Sequence, residues 1–219
     1  MADETVKAWQ RIARQLGASL PGEWSIARSG LRTALTKQPV EWTVLWVGIS
    51  RVRRDDQPSL MGGITPLVRP FNDLSVSRGL TTPVRPGDPS SYDLTAADAE
   101  DQVRRFTEAA LDSVADWTPV RLAEKAEEQF ATAPDDRVRP ITFIDAAGWR
   151  VVLDSSNPVE PAHAAVDWFE KASSPANVSW YRNLISAWES GGRAAALALL
   201  EANRAAALES LKLKSVKSK

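Results

Sequence analysis

Residues 41–52 (EWTVLWVGISRV) are the segment that most limits how this chain can fold. With the two-residue period of a strand, one face carries Trp42, Val44 and Trp46. The other face also carries apolar side chains, among them Leu45 and Val47. A strand that is apolar on both faces is typical of the centre of a sheet that is covered on both sides. The pattern therefore predicts a central strand with other layers packed against it.

Other strand patterns surround this segment. Residues 23–28 and 31–37 predict two strands before it, and residues 64–71 predict one that returns beside it. Two prolines within 64–71 place that strand at an edge or make it irregular. A further short strand is predicted at 74–77, inside the proline-rich loop 72–92. The sequence thus predicts an antiparallel sheet of about four to five strands.

Helical patterns occur before and after the strands. An amphipathic N-terminal helix has Trp9, Ile12 and Leu16 on its apolar side. Two further helices are expected between Thr95 and about Ala131. Beyond them, two short apolar runs around Ala147-Gly148 predict a hairpin, followed by three closing helices; the runs are 141–144 and 149–153, and the helices are 161–172, 179–190 and 192–211.

These elements predict an α+β fold with two parts. The first is an α+β domain over residues 1–132, and the second is a hairpin plus a helical C-terminal segment over residues 133–219. The boundary is expected at the polar sequence Pro134-Asp135-Asp136. Whether the second part packs on the first is left open by the sequence.

The composition argues against most catalytic chemistry. The chain has one histidine, His163, and no cysteine, and these two residue types carry most nucleophilic, proton-transfer and zinc chemistry. Helical phasing places His163 away from the apolar side of its helix, toward solvent. A formal net charge of −1 gives no global attraction to nucleic acid or anionic membranes. We therefore expect a protein that acts by binding, without metal or cofactor.

Charge is unevenly distributed along the sequence. Residues 93–136 carry twelve acidic and four basic side chains, whereas residues 51–87 carry six arginines and three aspartates. An acidic helical surface accelerates association with cationic proteins such as nucleases. The pattern leads to the hypothesis of an immunity- or antitoxin-like protein that meets a basic partner through Glu124, Glu127 and Glu128.

A second hypothesis places the function on the sheet. Trp42 and Trp46 would form an aromatic wall next to Arg51, Arg53 and Arg54, and such a surface could hold a small anionic ligand or a substrate. Nucleic-acid binding through the same arginines and the C-terminal lysines would require a steep dependence on salt. Since the overall charge is close to neutral, nucleic-acid binding is less favoured than binding of a protein or of a small anionic ligand.

The order of elements resembles a bacterial family known as domain of unknown function 4304, over residues 1–132 or about 60% of the chain. The resemblance rests on a helix ending in Gln15-Leu16-Gly17, an aromatic strand near Trp24, the strand at 42–49, and Val120-Arg121-Leu122 after a proline-rich stretch. It implies an α+β fold and carries over no catalytic residue. The C-terminal helices lie outside it.

The sequence also carries no sign of a membrane segment or a signal peptide. Its first residues, MADE, are acidic, and no run reaches the roughly 18 apolar residues that a transmembrane helix needs. We therefore expect a cytoplasmic protein, and the absence of cysteine is compatible with that compartment.

Overall fold

A computed structural model describes residues 2–27, 33–50, 58–70, 74, 77–84, 89–132 and 141–213. The chain divides into two compact units. Unit 1 consists of Met1–Thr65, Leu74–Ala115 and Leu208–Lys219, and unit 2 consists of Pro66–Asp73 and Asp116–Ala207. The predicted boundary at Pro134-Asp135-Asp136 lies outside the described residues.

The predicted α+β class and the antiparallel sheet are confirmed. Five strands follow one another in the sheet in the order in which they occur in the chain. The central position belongs to β3, as its two apolar faces predicted. The strands are β1 (Glu23–Ala27), β2 (Ala34–Gln38), β3 (Thr43–Ile49), β4 (Leu60–Pro66) and β5 (Arg78–Thr81).

A pair of glycines allows β4 and β5 to approach each other closely. Gly63 lies opposite Gly79 in the register. A Cβ atom on Gly63 would lie 1.9 Å from the carbonyl oxygen of Arg78, and one on Gly79 would lie 2.0 Å from that of Gly62. Because a side chain at either position would collide with backbone, only glycine permits this pairing. The described strand β5 lies at 78–81, and part of the strand predicted at 74–77 lies outside the described residues.

Two helices of unit 1 bury their apolar sides in one core. They are α1 (Ala2–Ser19) and α2 (Ala99–Asp112). Trp9, Ile12 and Leu16 of α1 are completely buried and belong to the same cluster as Val47 of β3 and Phe106 of α2. The indole nitrogen of Trp9 donates a hydrogen bond to the carbonyl oxygen of Thr33 at 2.9 Å. The predicted apolar face of α1 is thus confirmed, and α2 buries one of its sides in the same core.

Helices make up most of unit 2. They are α3 (Pro119–Thr132), a 3₁₀ helix (Ile141–Asp145), α4 (Ala146–Leu153), α5 (Val159–Lys171) and α6 (Pro175–Ser210), whose last residues belong to unit 1. Gly192 has φ 61° and ψ −153°, so α6 is interrupted where the sequence predicted a boundary between two helices. Within the described residues, no helix is long and apolar enough to cross a membrane.

The predicted hairpin at 141–153 is wrong, since this segment is a 3₁₀ helix followed by α4. Every side chain from Phe143 to Trp149 is buried. A helix that is buried all around loses the polar side by which a helix is recognised in a sequence. Gly148 is not a turn residue: a Cβ atom there would lie 2.0 Å from the carbonyl oxygen of Val68, so the glycine lets α4 pack directly on that backbone.

Candidate functional site: the surface of helix α2

Unit 1 contains a pocket of about 400 Å³ that is partly open to solvent. Its wall is formed by one side of α2 and by residues that precede this helix in the chain. The lining residues are Val84, Pro89, Tyr92, Gln102, Arg105, Phe106 and Ala109. The volume falls at the lower end of the range of roughly 300–1,000 Å³ that is usual for small-molecule sites.

The periodicity of α2 determines which side chains reach the pocket. Val103, Phe106 and Ala110 recur at helical spacing and are buried against the rest of unit 1. Gln102 and Ala109 lie on the flank next to this buried side, one turn before and one turn after Phe106. Because the core side is fixed by packing, the flank that faces the pocket is fixed with it.

Arg105 is the basic side chain of the pocket wall. It is exposed, and no ion pair of its guanidinium group is found among the described residues. By contrast, Arg104 on the same helix donates to Glu100 at 3.0 Å and to the hydroxyl of Ser19 at 3.2 Å. Arg105 is therefore available to an incoming group, whereas Arg104 is engaged within unit 1.

Four exposed carboxylates lie on the solvent side of α2, on the side of the helix that also carries Arg105. We call Asp98, Asp101, Glu108 and Asp112 the acidic stripe. At 100° per residue these positions and Arg105 fall within about 80° of one another around the helix axis. Asp98 contacts the pocket wall directly, because its Oδ2 atom accepts a hydrogen bond of 2.6 Å from the side-chain amide nitrogen, Nε2, of Gln102. Counting only residues that the structure describes, the stripe and Arg105 together give this side of α2 four negative charges and one positive charge.

The glutamates predicted to meet a partner lie on α3, in the other unit. Both carboxylate oxygens of Glu127 accept hydrogen bonds from Arg150, each at 2.7 Å. The Glu128 carboxylate pairs with Lys125, and Glu124 is exposed. The acidic stretch 93–136 is thus divided between the two units, and Glu127 is already held by an arginine whose side chain is only 13% exposed.

The structure describes part of the predicted tryptophan and arginine surface. Trp46 is 3% exposed, and its indole nitrogen donates a hydrogen bond of 2.9 Å to the hydroxyl of Thr65. Trp42 is half-buried and directly precedes β3. Arg51, Arg53 and Arg54 lie outside the described residues. The ring of Trp46 therefore offers almost no surface to a ligand.

A buried ionic contact lies in the core of unit 2. The guanidinium group of Arg69 is 3.3 Å from Asp145, whose side chain is 2% exposed. Burial raises the pKa of Asp145 to about 6, and the positive charge of Arg69 opposes this rise. The hydroxyl of Tyr181 donates to the carbonyl oxygen of Ile144 at 2.9 Å, and burial also raises the pKa of this tyrosine. This cluster is closed to solvent, so it offers no surface to a ligand.

His163 is exposed on α5, as helical phasing predicted. In the ranges that the structure describes, no group of three or more histidine, cysteine, aspartate or glutamate side chains is arranged to hold a metal ion.

Sequence reasoning missed the pocket although it identified one of its walls. The sequence predicted a helix at this place, but it did not indicate that the ring of Phe106 both joins the core and lines the pocket. Tyr92 and Pro89 come from a stretch without periodicity, so no sequence signal brings them next to α2.

Comparison with family models, with characterised proteins and with solved structures finds no match for this chain. The chemistry of the α2 surface is therefore the basis on which a function is inferred.

Proposed function

We propose that this protein acts by binding a protein whose contact surface is basic, and that the acidic stripe of α2 makes the contact. The single observation that supports the proposal is the set of four exposed carboxylates on one side of α2, beside an open pocket. A more specific form of this proposal is an immunity- or antitoxin-like role. We also propose that residues 1–132 belong to the family of unknown function that they resemble.

The stripe is better suited to a partner than the carboxylates of α3. A partner that recruited Glu127 would have to replace two hydrogen bonds to Arg150. Asp101, Glu108 and Asp112 have no such bond within the described residues, so a cationic partner would displace only water and counter-ions. Exposed carboxylates of this kind mainly raise the rate of association, and the effect weakens as salt increases.

The sheet surface receives less support as the site. With Trp46 enclosed, Trp42 is the one tryptophan of the predicted wall that is partly exposed. An anionic ligand held there by the arginines of residues 51–54 stays a prediction.

The test compares charge reversal on the two helices. We expect the double variant Asp101→Lys/Glu108→Lys to weaken binding to a purified partner by about 30-fold or more at low salt, and by less at physiological salt. The matched control Glu124→Lys/Glu128→Lys makes the same change in net charge on α3, and we expect it to stay within about threefold of the wild type. Surface plasmon resonance provides both rate constants.

The two variants distinguish the possible surfaces. Equal weakening by both variants would mean that only the net charge matters, and the stripe would not be the site. Weakening by the α3 variant alone would mean that the partner contacts the α3 glutamates predicted from the sequence and not the acidic stripe. Unchanged affinity in both, with circular dichroism showing intact folds, would exclude acidic recognition.

A further inference from the structure

We propose that the pocket beside α2 receives a single apolar side chain of the basic partner, aromatic or long aliphatic, while lysines or arginines next to it meet the acidic stripe. This inference rests on the proposed function, because it specifies how the partner is recognised. It assigns to the partner a short surface sequence in which an apolar residue is flanked by cationic ones.

The walls of the pocket fit an apolar group. Val84, Pro89 and Ala109 present aliphatic surface, and Phe106 and Tyr92 present aromatic surface. Aromatic rings gain from edge-to-face or offset contact with other rings in addition to the burial of their area. Interfaces of standard size concentrate their affinity in such anchor residues, which fill a pocket near the centre of the contact.

The opening of the pocket also favours a side chain that belongs to the surface of a partner protein. A site for a free small molecule usually buries most of the ligand, whereas this pocket is partly open to solvent. A side chain carried by a protein needs an entrance of this kind, because its backbone remains outside.

The charges around the pocket favour a cationic occupant over an anionic one. Arg105 could by itself attract a carboxylate. However, Asp101 precedes it by one turn and Glu108 follows it by one turn on the same surface of α2, and Asp98 is bonded to Gln102 in the wall. Among the described residues, this side of α2 carries four carboxylates and the one guanidinium group of Arg105, so these groups favour a cation over a free anion.

The experiment uses synthetic peptides and the full-length protein. Three probes are compared by isothermal titration and by amide chemical shifts: acetyl-Lys-Lys-Phe-Lys-Lys-amide, the same peptide with Ala in the centre, and acetyl-Ser-Ser-Phe-Ser-Ser-amide. We expect the first peptide to bind about tenfold or more tightly than each of the others, with shifts of Ala109 and Phe106.

Variants then test each half of the site separately. Ala109→Trp fills the pocket, and Ala109→Leu does so more mildly, so both should remove the preference for Phe over Ala while lysine-dependent binding remains. The matched control is Ala115→Trp, at an exposed position of unit 1 that does not line the pocket. Asp101→Lys/Glu108→Lys should weaken both lysine peptides equally and leave their ratio unchanged.

The outcomes distinguish the failure of this inference from the failure of the proposed function. Equal binding of the Phe and Ala lysine peptides, lost on charge reversal of the stripe, would overturn the anchor pocket and retain acidic recognition. Equal binding of the lysine and serine Phe peptides would overturn acidic recognition and retain the pocket. Binding of none of the peptides at millimolar concentration would overturn both.

A pair of small probes tests whether the pocket is instead a metabolite site. Phenylacetate and 2-phenylethylammonium carry the same ring with opposite charges. We expect the ammonium compound to bind more tightly, through the stripe. Tighter binding of phenylacetate that is lost in Arg105→Gln, but not in the neighbouring Arg104→Gln, would make the pocket a site for small carboxylates and would overturn the anchor.

Discussion

Replacing Gly148 by alanine should destabilise unit 2, although the same change inside a helix normally stabilises it. Gly148 lies within α4, where alanine has the higher helix propensity by about 1 kcal/mol. The added Cβ atom would lie 2.0 Å from the carbonyl oxygen of Val68 and 2.8 Å from its carbonyl carbon. The closest ordinary carbon-to-oxygen contacts are about 3.3 Å, so α4 would have to move away from this backbone by about 1.3 Å.

The cost of that movement exceeds the gain in propensity. Overpacking of a core usually costs about 1–3 kcal/mol. The movement would also lengthen the 3.3 Å contact between Arg69 and Asp145, since these residues directly follow Val68 and directly precede α4. Breaking a buried ion pair costs about 3–5 kcal/mol, and a partial loss adds a fraction of that. We therefore expect a net loss of about 2–4 kcal/mol, which corresponds to a fall of about 4–16 °C in Tm.

Urea unfolding followed by circular dichroism measures the total effect, and hydrogen exchange with mass spectrometry locates it. Exchange should accelerate in peptides that cover α4 and stay unchanged in peptides that cover α2. The control is Ala198→Gly at an exposed position of α6, which should lose about 1 kcal/mol through propensity alone. A Gly148→Ala protein as stable as the wild type, with no faster exchange in α4, would refute the close packing of this helix.

Three further changes test other contacts of the fold. Burial raises the pKa of Asp145 to about 6 from the ordinary 3.8, so the folded state binds this proton more tightly than the unfolded state does. Stability should therefore fall by about 3 kcal/mol as pH rises from about 4 to 6 and then level off. Asp145→Asn should remove that slope from urea midpoints measured across this pH range; an unchanged slope would contradict the assignment. Arg150→Lys keeps the charge but loses the two-bond geometry to Glu127, and chemical unfolding should show a loss of about 1–3 kcal/mol. Trp46→Phe removes the hydrogen bond to Thr65 and should cost about 1–2 kcal/mol in thermal unfolding, whereas no loss would mean that this bond is replaced.

Local patterns predicted the amphipathic helices of unit 1 and the central strand of the sheet. The buried residues of α1 and α2 follow the helical period, and each helix keeps a polar surface that marks the period. The strand β3 was recognised because a run of β-branched and aromatic residues between polar segments indicates a central strand. Both signals are local, so they do not depend on what the element packs against.

The elements that the sequence misjudged depend on a contact between distant residues. Segment 141–153 has the composition of a hairpin, but Gly148 packs on Val68 and the segment forms helices. The strand β5 exists because Gly79 can approach Gly63 closely. In both cases a glycine was interpreted as a turn or loop residue, while its actual role is to make room for backbone from another part of the chain.

At the candidate site, too, some features follow from local sequence and others depend on contacts between distant residues. The sequence by itself determined that the chain has an α+β fold, that β3 is central, that His163 is exposed and that residues 93–136 are acidic, because composition and period are properties of neighbouring residues. Only the tertiary structure decided that Glu127 is held by Arg150, that Trp46 is enclosed, and that Tyr92 joins Arg105 and Phe106 around a pocket. Pairing and enclosure depend on which distant side chains meet, and no local period encodes that.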